Sequence, residues 1–76
     1  MNEELTKQIC EFAAAAYAFD GEVDANTTFA ELGKGSMKMI ALTSRIENEL
    51  DVEVPILEVM RMKTVGELIE RVAEEL

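Results

Sequence analysis

Ser36 lies between "GKG" and "MKMIALTSRIENEL", placing a hydroxyl where a glycine-rich stretch gives way to helical periodicity. A nucleophilic serine needs a base within hydrogen-bond reach. The sequence contains no histidine. Lys34 or Lys38 could substitute only if a buried pocket held the ammonium neutral, and nothing nearby looks able to form one. Cys10, the sole cysteine, also lacks a base and sits beside an apolar helical stripe, so it reads as an inert, partly buried thiol. One cysteine allows neither an internal disulfide nor a cysteine cluster for zinc. By these residues the chain is no enzyme on its own.

Two further motifs fall short of their chemistry. "GKGS" (33–36) lacks the four residues between the first glycine and Gly-Lys-Ser/Thr that a phosphate-binding loop requires, and no strand precedes it. "DGEVD" (20–24) alternates carboxylates in the manner of a calcium loop, but Ala25 stands where the sixth-position glycine belongs. Weak, nonspecific cation binding is the expectation there, and no dedicated metal site.

The 76 residues suit one domain spanning 1–76 with a small core. Apolar residues are 49% of the chain and charged ones 30%, a composition that folds. The net charge of −9 argues against nucleic acid, which asks for a basic patch. It points instead to other proteins as partners, with self-repulsion relieved by salt. "FAAAAYAF" (12–19) is too short to span a bilayer and follows acidic residues rather than a basic leader. A cytoplasmic, monomeric protein without membrane contact is expected.

Four helices follow from apolar spacing. Leu5, Ile9, Phe12, Ala16 and Phe19 line one face of a helix predicted to stop near Phe19, ahead of the Asp20-Gly21 turn signal. A loop of about sixteen residues follows, long for so small a domain. Phe29 and Leu32 in "TTFAEL" are spaced for a single helical turn that could pin it to the core. From Ser36 to Leu50 a second amphipathic helix places Met39, Ile40, Leu42, Ile46 and Leu50 on one broad side. "VPILEVMRM" reads as a short, mostly buried helix opened by Pro55. "TVGE" (64–67) is a capping box for the last helix, whose stripe is Val65, Leu68, Ile69, Val72 and Leu76. The fold class is therefore all-α: a small four-helix bundle of three longer helices and one short one, with a long loop between the first two.

On that scaffold Ser36 is most simply an N-cap. The same position also suits a serine bearing phosphate, because free amides and the helix dipole both favour negative charge there.

"TTFAELGKGSM", "IALTSRIENELDVEVP" and "TVGELIERV" together resemble the acyl carrier protein family over nearly the whole chain. Phe29, Leu32, Gly33 and Ser36 match its phenylalanine, Leu-Gly pair and serine. The resemblance implies that Ser36 is the attachment point of 4′-phosphopantetheine, transferred from coenzyme A by a phosphopantetheinyl transferase. The thiol of the arm would then hold acyl, aminoacyl or ketide groups as thioesters. It further implies an acyl-loading ligase or synthase and downstream enzymes as partners, which meet the second helix through Met37, Lys38, Ala41, Ser44, Arg45, Glu47 and Asn48. Ile40, Leu42, Ile46, Leu50, Val54, Met62 and Val65 would line the interior, which in some relatives shelters the acyl chain.

Gly35 and Met37 stand where the family usually has aspartate and leucine around the serine. Residues 36–50 balance Lys38 and Arg45 against Glu47 and Glu49, where fatty-acid carriers are strongly acidic. A specialised pathway, polyketide, aminoacyl or peptidyl, is therefore expected before housekeeping fatty-acid synthesis. The alternative is an unmodified carrier-like module that binds a partner through its second helix.

Overall fold

Residues 2–33 and 35–76 are described by a computed structural model. Asn2 opens α1 (Glu3–Ala16), its side-chain oxygen accepting from the amides of Glu4 and Leu5, with Glu3 and Glu4 at the positive end of the dipole. Leu5, Ile9 and Phe12 are buried along this helix, as their spacing predicts, Ala13 is buried with them, and Ala16 and Phe19 are half-buried. Cys10 is buried beside them.

The helix ends at Ala16, ahead of the Phe19 that periodicity suggested. Ala18 turns left-handed at φ 49, so the Phe19 amide reaches back to the Ala14 carbonyl (2.9 Å) and the Ala18 amide to Ala15 (3.2 Å). That is a Schellman cap with alanine in the place glycine usually takes.

The following stretch is fastened to α5 (Val65–Glu75). The amide of Gly66 donates to the Ala25 carbonyl at 2.8 Å and that of Val65 to Thr27 at 2.9 Å. A side chain on Gly66 would meet that same Ala25 carbonyl oxygen at 2.8 Å, so glycine permits the approach. The turn expected at "TTFAEL" is α2 (Phe29–Leu32), with Thr28 and Glu31 forming a capping box and Gly33 closing it at φ 115. Phe29 and Leu32 are both buried, so α2 does pin the connection to the core.

Next comes α3 (Ser36–Leu50), which Asp51 ends in the left-handed region, and then α4 (Ile56–Met60) after Pro55. The long helices pack α1 on α3 and α1 on α5, while α4 lies against α3. Ile9, Leu42, Ile46, Val59, Val65, Leu68, Ile69 and Val72 fill the centre. The described residues are thus all helical, in five helices joined by one isolated backbone bridge between Thr28 and Thr64.

Three expectations about the core need correction, the first being Leu76, which was expected to end the α5 stripe and is 66% exposed just past the helix. Ile40 is half exposed, and Met39 takes the inward position at the start of α3. The short α4 is mostly exposed: Val59 alone of its residues is buried, and Leu57 and Met60 face outward. A five-residue helix laid on the edge of a bundle offers one side to the core, and alternating hydrophobicity cannot reveal that the second side has no neighbour.

Candidate functional site

Gly35 is the residue that caps α3, and Ser36 is the first residue inside the helix. This replaces the reading of Ser36 as an N-cap. Gly35 is extended (φ −122, ψ 127) and makes no side-chain capping bond, and the first turn holds no acidic residue. Two of the other helix starts bring a threonine and a glutamate to their first amides. The start of α3 does neither, leaving its amides and the positive end of the dipole open to an anion.

Ser36 itself is exposed, and its hydroxyl has no hydrogen-bond partner among the described residues. Beside it, Gly35, Met39 and Met60 line a small hollow of about 160 Å³. Further along the α3–α4 seam, Ile40, Thr43, Ser44, Glu47 and the segment Val54 to Ile56 line a second hollow of about 280 Å³. Both are open to the surface, and their methionine and isoleucine walls can adapt to apolar groups. The Lys38 stem lies along Gly35, its Cγ and Cδ each 3.6 Å from where a residue-35 Cβ would stand.

The residues expected to contact partners divide into two groups. Met37 (82% exposed), Lys38, Ala41, Ser44 and Asn48 are all on the surface of α3. Arg45 is exposed as well, and both it and Glu47 also make contacts within the molecule. The Arg45 guanidinium lies 4.5 Å from the centroid of the Phe12 ring, tying α3 to α1. Glu47 is half-buried and its carboxylate accepts from the Val54 amide at 2.9 Å, holding the segment that leads into α4.

Elsewhere the chemistry is quiet. Burial, and to a lesser extent the charge of Asp24, push the Cys10 thiol up, which keeps it protonated and unreactive. Oδ1 of Asp24 accepts from the Asn26 amide (2.8 Å) and the Thr27 hydroxyl (3.3 Å), so that oxygen organises the turn. No helix among the described residues is long and apolar enough to cross a membrane.

Met60 is the residue of this region that sequence reasoning did not single out: it belongs to the short helix read as mostly buried, and the structure leaves it half exposed beside Ser36.

Comparison with known proteins decides the family. Residues 7–72 match the family described as phosphopantetheine attachment site. The chain belongs to that family. A solved structure, an acyl carrier protein from Thermotoga maritima, superposes with a TM-score of 0.78 at 28% identity, covering 96% of this chain and 87% of that one. The chain is thus a phosphopantetheine-carrying acyl carrier protein, with 4′-phosphopantetheine as its covalent cofactor. An exposed hydroxyl at a helix start free of carboxylates fits such a group. Carrier domains of this kind are typically non-catalytic and work with partner enzymes.

Proposed function

We propose that Ser36 is the residue that bears the arm, and that the carrier serves a specialised biosynthetic pathway. The observation that carries the first part is the contrast at the start of α3: an exposed hydroxyl on its first residue, and no side-chain cap or acidic residue to compete for the amides there. These amides and the dipole stabilise the phosphodiester that attachment creates. Ser36 needs no base of its own, because a phosphopantetheinyl transferase activates the hydroxyl toward coenzyme A. Once attached, the arm supplies a thiol that holds acyl, aminoacyl or ketide groups as thioesters.

Met37, Lys38, Ala41, Ser44, Arg45 and Asn48, with the half-buried Glu47, present the surface that the transferase, the loading ligase or synthase, and later enzymes meet. Met39 and Met60 beside Ser36 offer an apolar resting place for the near end of the cargo. The balance of Lys38 and Arg45 against Glu47 and Glu49 supports a specialised pathway, since partners that select a strongly acidic helix find little to hold here.

Ser36→Ala tests the assignment. Incubated with coenzyme A, magnesium and a broad-specificity transferase, the wild type gains one phosphopantetheine in intact mass and the variant gains none. An adduct of that mass on the variant overturns the choice of serine.

A further inference from the structure

The sixteen acidic and seven basic side chains are not evenly spread. Residues 32–46 contain no carboxylate, and neither do residues 59–66, although both segments contain basic residues. The structure brings them together: Met60 of α4 lines the hollow beside Ser36, and it also lines a neighbouring one with Phe29, Arg61 and Lys63. Lys38, Arg61 and Lys63 are exposed, and none forms an ion pair among the described residues. Arg71 is the contrast, bound by Glu58 at 3.3 Å and Glu75 at 3.3 Å.

The carboxylates that border these segments in sequence at Glu31, Glu58 and Glu67 bond to other groups. Glu31 bonds the Thr28 amide and hydroxyl, Glu58 holds Arg71, and Glu67 bonds the amides of Lys63 and Thr64. The same two segments carry exposed apolar side chains: Met37 at 82%, and Ile40 and Met60 at 49% each. An apolar centre with a charged rim is the anatomy of a protein-docking surface.

From this arrangement we propose that the Ser36 end docks partner enzymes through an apolar contact ringed by acidic residues of the partner, although the carrier itself is strongly acidic. Long-range repulsion does not prevent this. At physiological ionic strength charges are screened over about 8 Å, whereas the molecule measures 28 × 25 × 19 Å. Carboxylates at the far end are therefore largely hidden from a partner seated at Ser36, and the local cations set the rim preference. The proposal rests on the carrier reading insofar as the partner is an enzyme acting on the arm.

Two synthetic amphipathic helical peptides test it, sharing one leucine face, the first flanked by glutamate and the second by lysine. Each is titrated into the phosphopantetheinylated protein at about 0.15 M salt, with backbone amide shifts read residue by residue. The glutamate peptide should shift amides of residues 35–41 and 57–63 and bind there about tenfold tighter than the lysine peptide. Lys38→Glu with Arg61→Glu, both at exposed positions, should abolish that advantage while leaving the helical signal intact. Equal binding, no binding of either peptide, or a lysine preference at this surface overturns the proposal. Intact mass taken before titration keeps the two readings apart. If no arm is attached, the titration of the unmodified chain still reports the surface, and only the carrier reading fails.

Discussion

Thr28 and Thr64 face each other across an antiparallel backbone bridge, and each caps the helix that follows it in the same manner. The Thr28 hydroxyl accepts from the Glu31 amide at 3.1 Å and Thr64 from Glu67 at 3.2 Å, while each glutamate reaches back to its threonine's amide. On either side, Phe29 donates to the Lys63 carbonyl and Val65 to Thr27, both at 2.9 Å. One joint thus starts two helices and fixes the position of α2, whose C-terminal Gly33 leads toward Ser36.

Glu67 gives this joint a pH dependence. Backbone hydrogen bonds from Thr64 and Lys63, aided by the Lys63 charge, hold its carboxyl below its ordinary value of 4.5. A carboxyl depressed on folding adds stability that is complete above its unfolded value and is lost as pH falls through the folded one. Glu67→Gln should therefore be less stable than wild type at neutral pH, with the gap closing below pH 4.5. Urea titrations at successive pH values check this, and a gap that persists unchanged in acid contradicts it.

Ala18→Gly should stabilise the protein. Alanine at φ 49 bears the left-handed penalty of about 1–2 kcal/mol, and glycine returns part of it through its greater freedom when unfolded, about 0.5–1 kcal/mol. A net gain of several tenths up to about 1 kcal/mol is expected in thermal or chemical unfolding.

Gly35→Asp should be accommodated and mildly stabilising, by a few tenths of a kcal/mol. Its backbone is extended, and a Cβ would make only ordinary contact with the Lys38 stem. The carboxylate would then compete for the α3 amides that the present chain leaves open. Melting temperature reads the gain, and a lowered melting point contradicts the assignment of Gly35 as the cap.

Arg45→Ala should cost about 0.5–1 kcal/mol through the lost contact with Phe12, whereas Ala replacements at exposed Lys38 or Asn48 should stay within about 0.5 kcal/mol. Denaturant midpoints of the three variants separate the internal role from the surface one.

The sequence made the long helices legible because each carries a sustained stripe over three turns or more, and burial of that stripe leaves few alternatives. Ser36 was legible for a different reason, since its flanking glycines and the following periodicity mark a helix start. Short elements were harder. The single turn of α2 showed only in the spacing of Phe29 and Leu32, and its capping box of Thr28 and Glu31, a repeat of the Thr64–Glu67 spacing, was not read. Ala18 carries no glycine to announce the end of α1. Met39 and Ile40 lie about 100° apart on one broad apolar side, and hydrophobicity alone does not say which of them turns inward. The contacts of Arg45 and Glu47 within the molecule were not legible because their partners, Phe12 and the Val54 amide, are distant in sequence.

The most direct measurement is the location of the arm. After transfer from coenzyme A, cleavage at glutamate gives a fragment spanning 32–47 that contains Ser36 together with Thr43 and Ser44. Tandem mass spectrometry should place the whole phosphopantetheine on Ser36. An adduct on Thr43 or Ser44, or a correctly folded protein that no transferase modifies, would contradict the account.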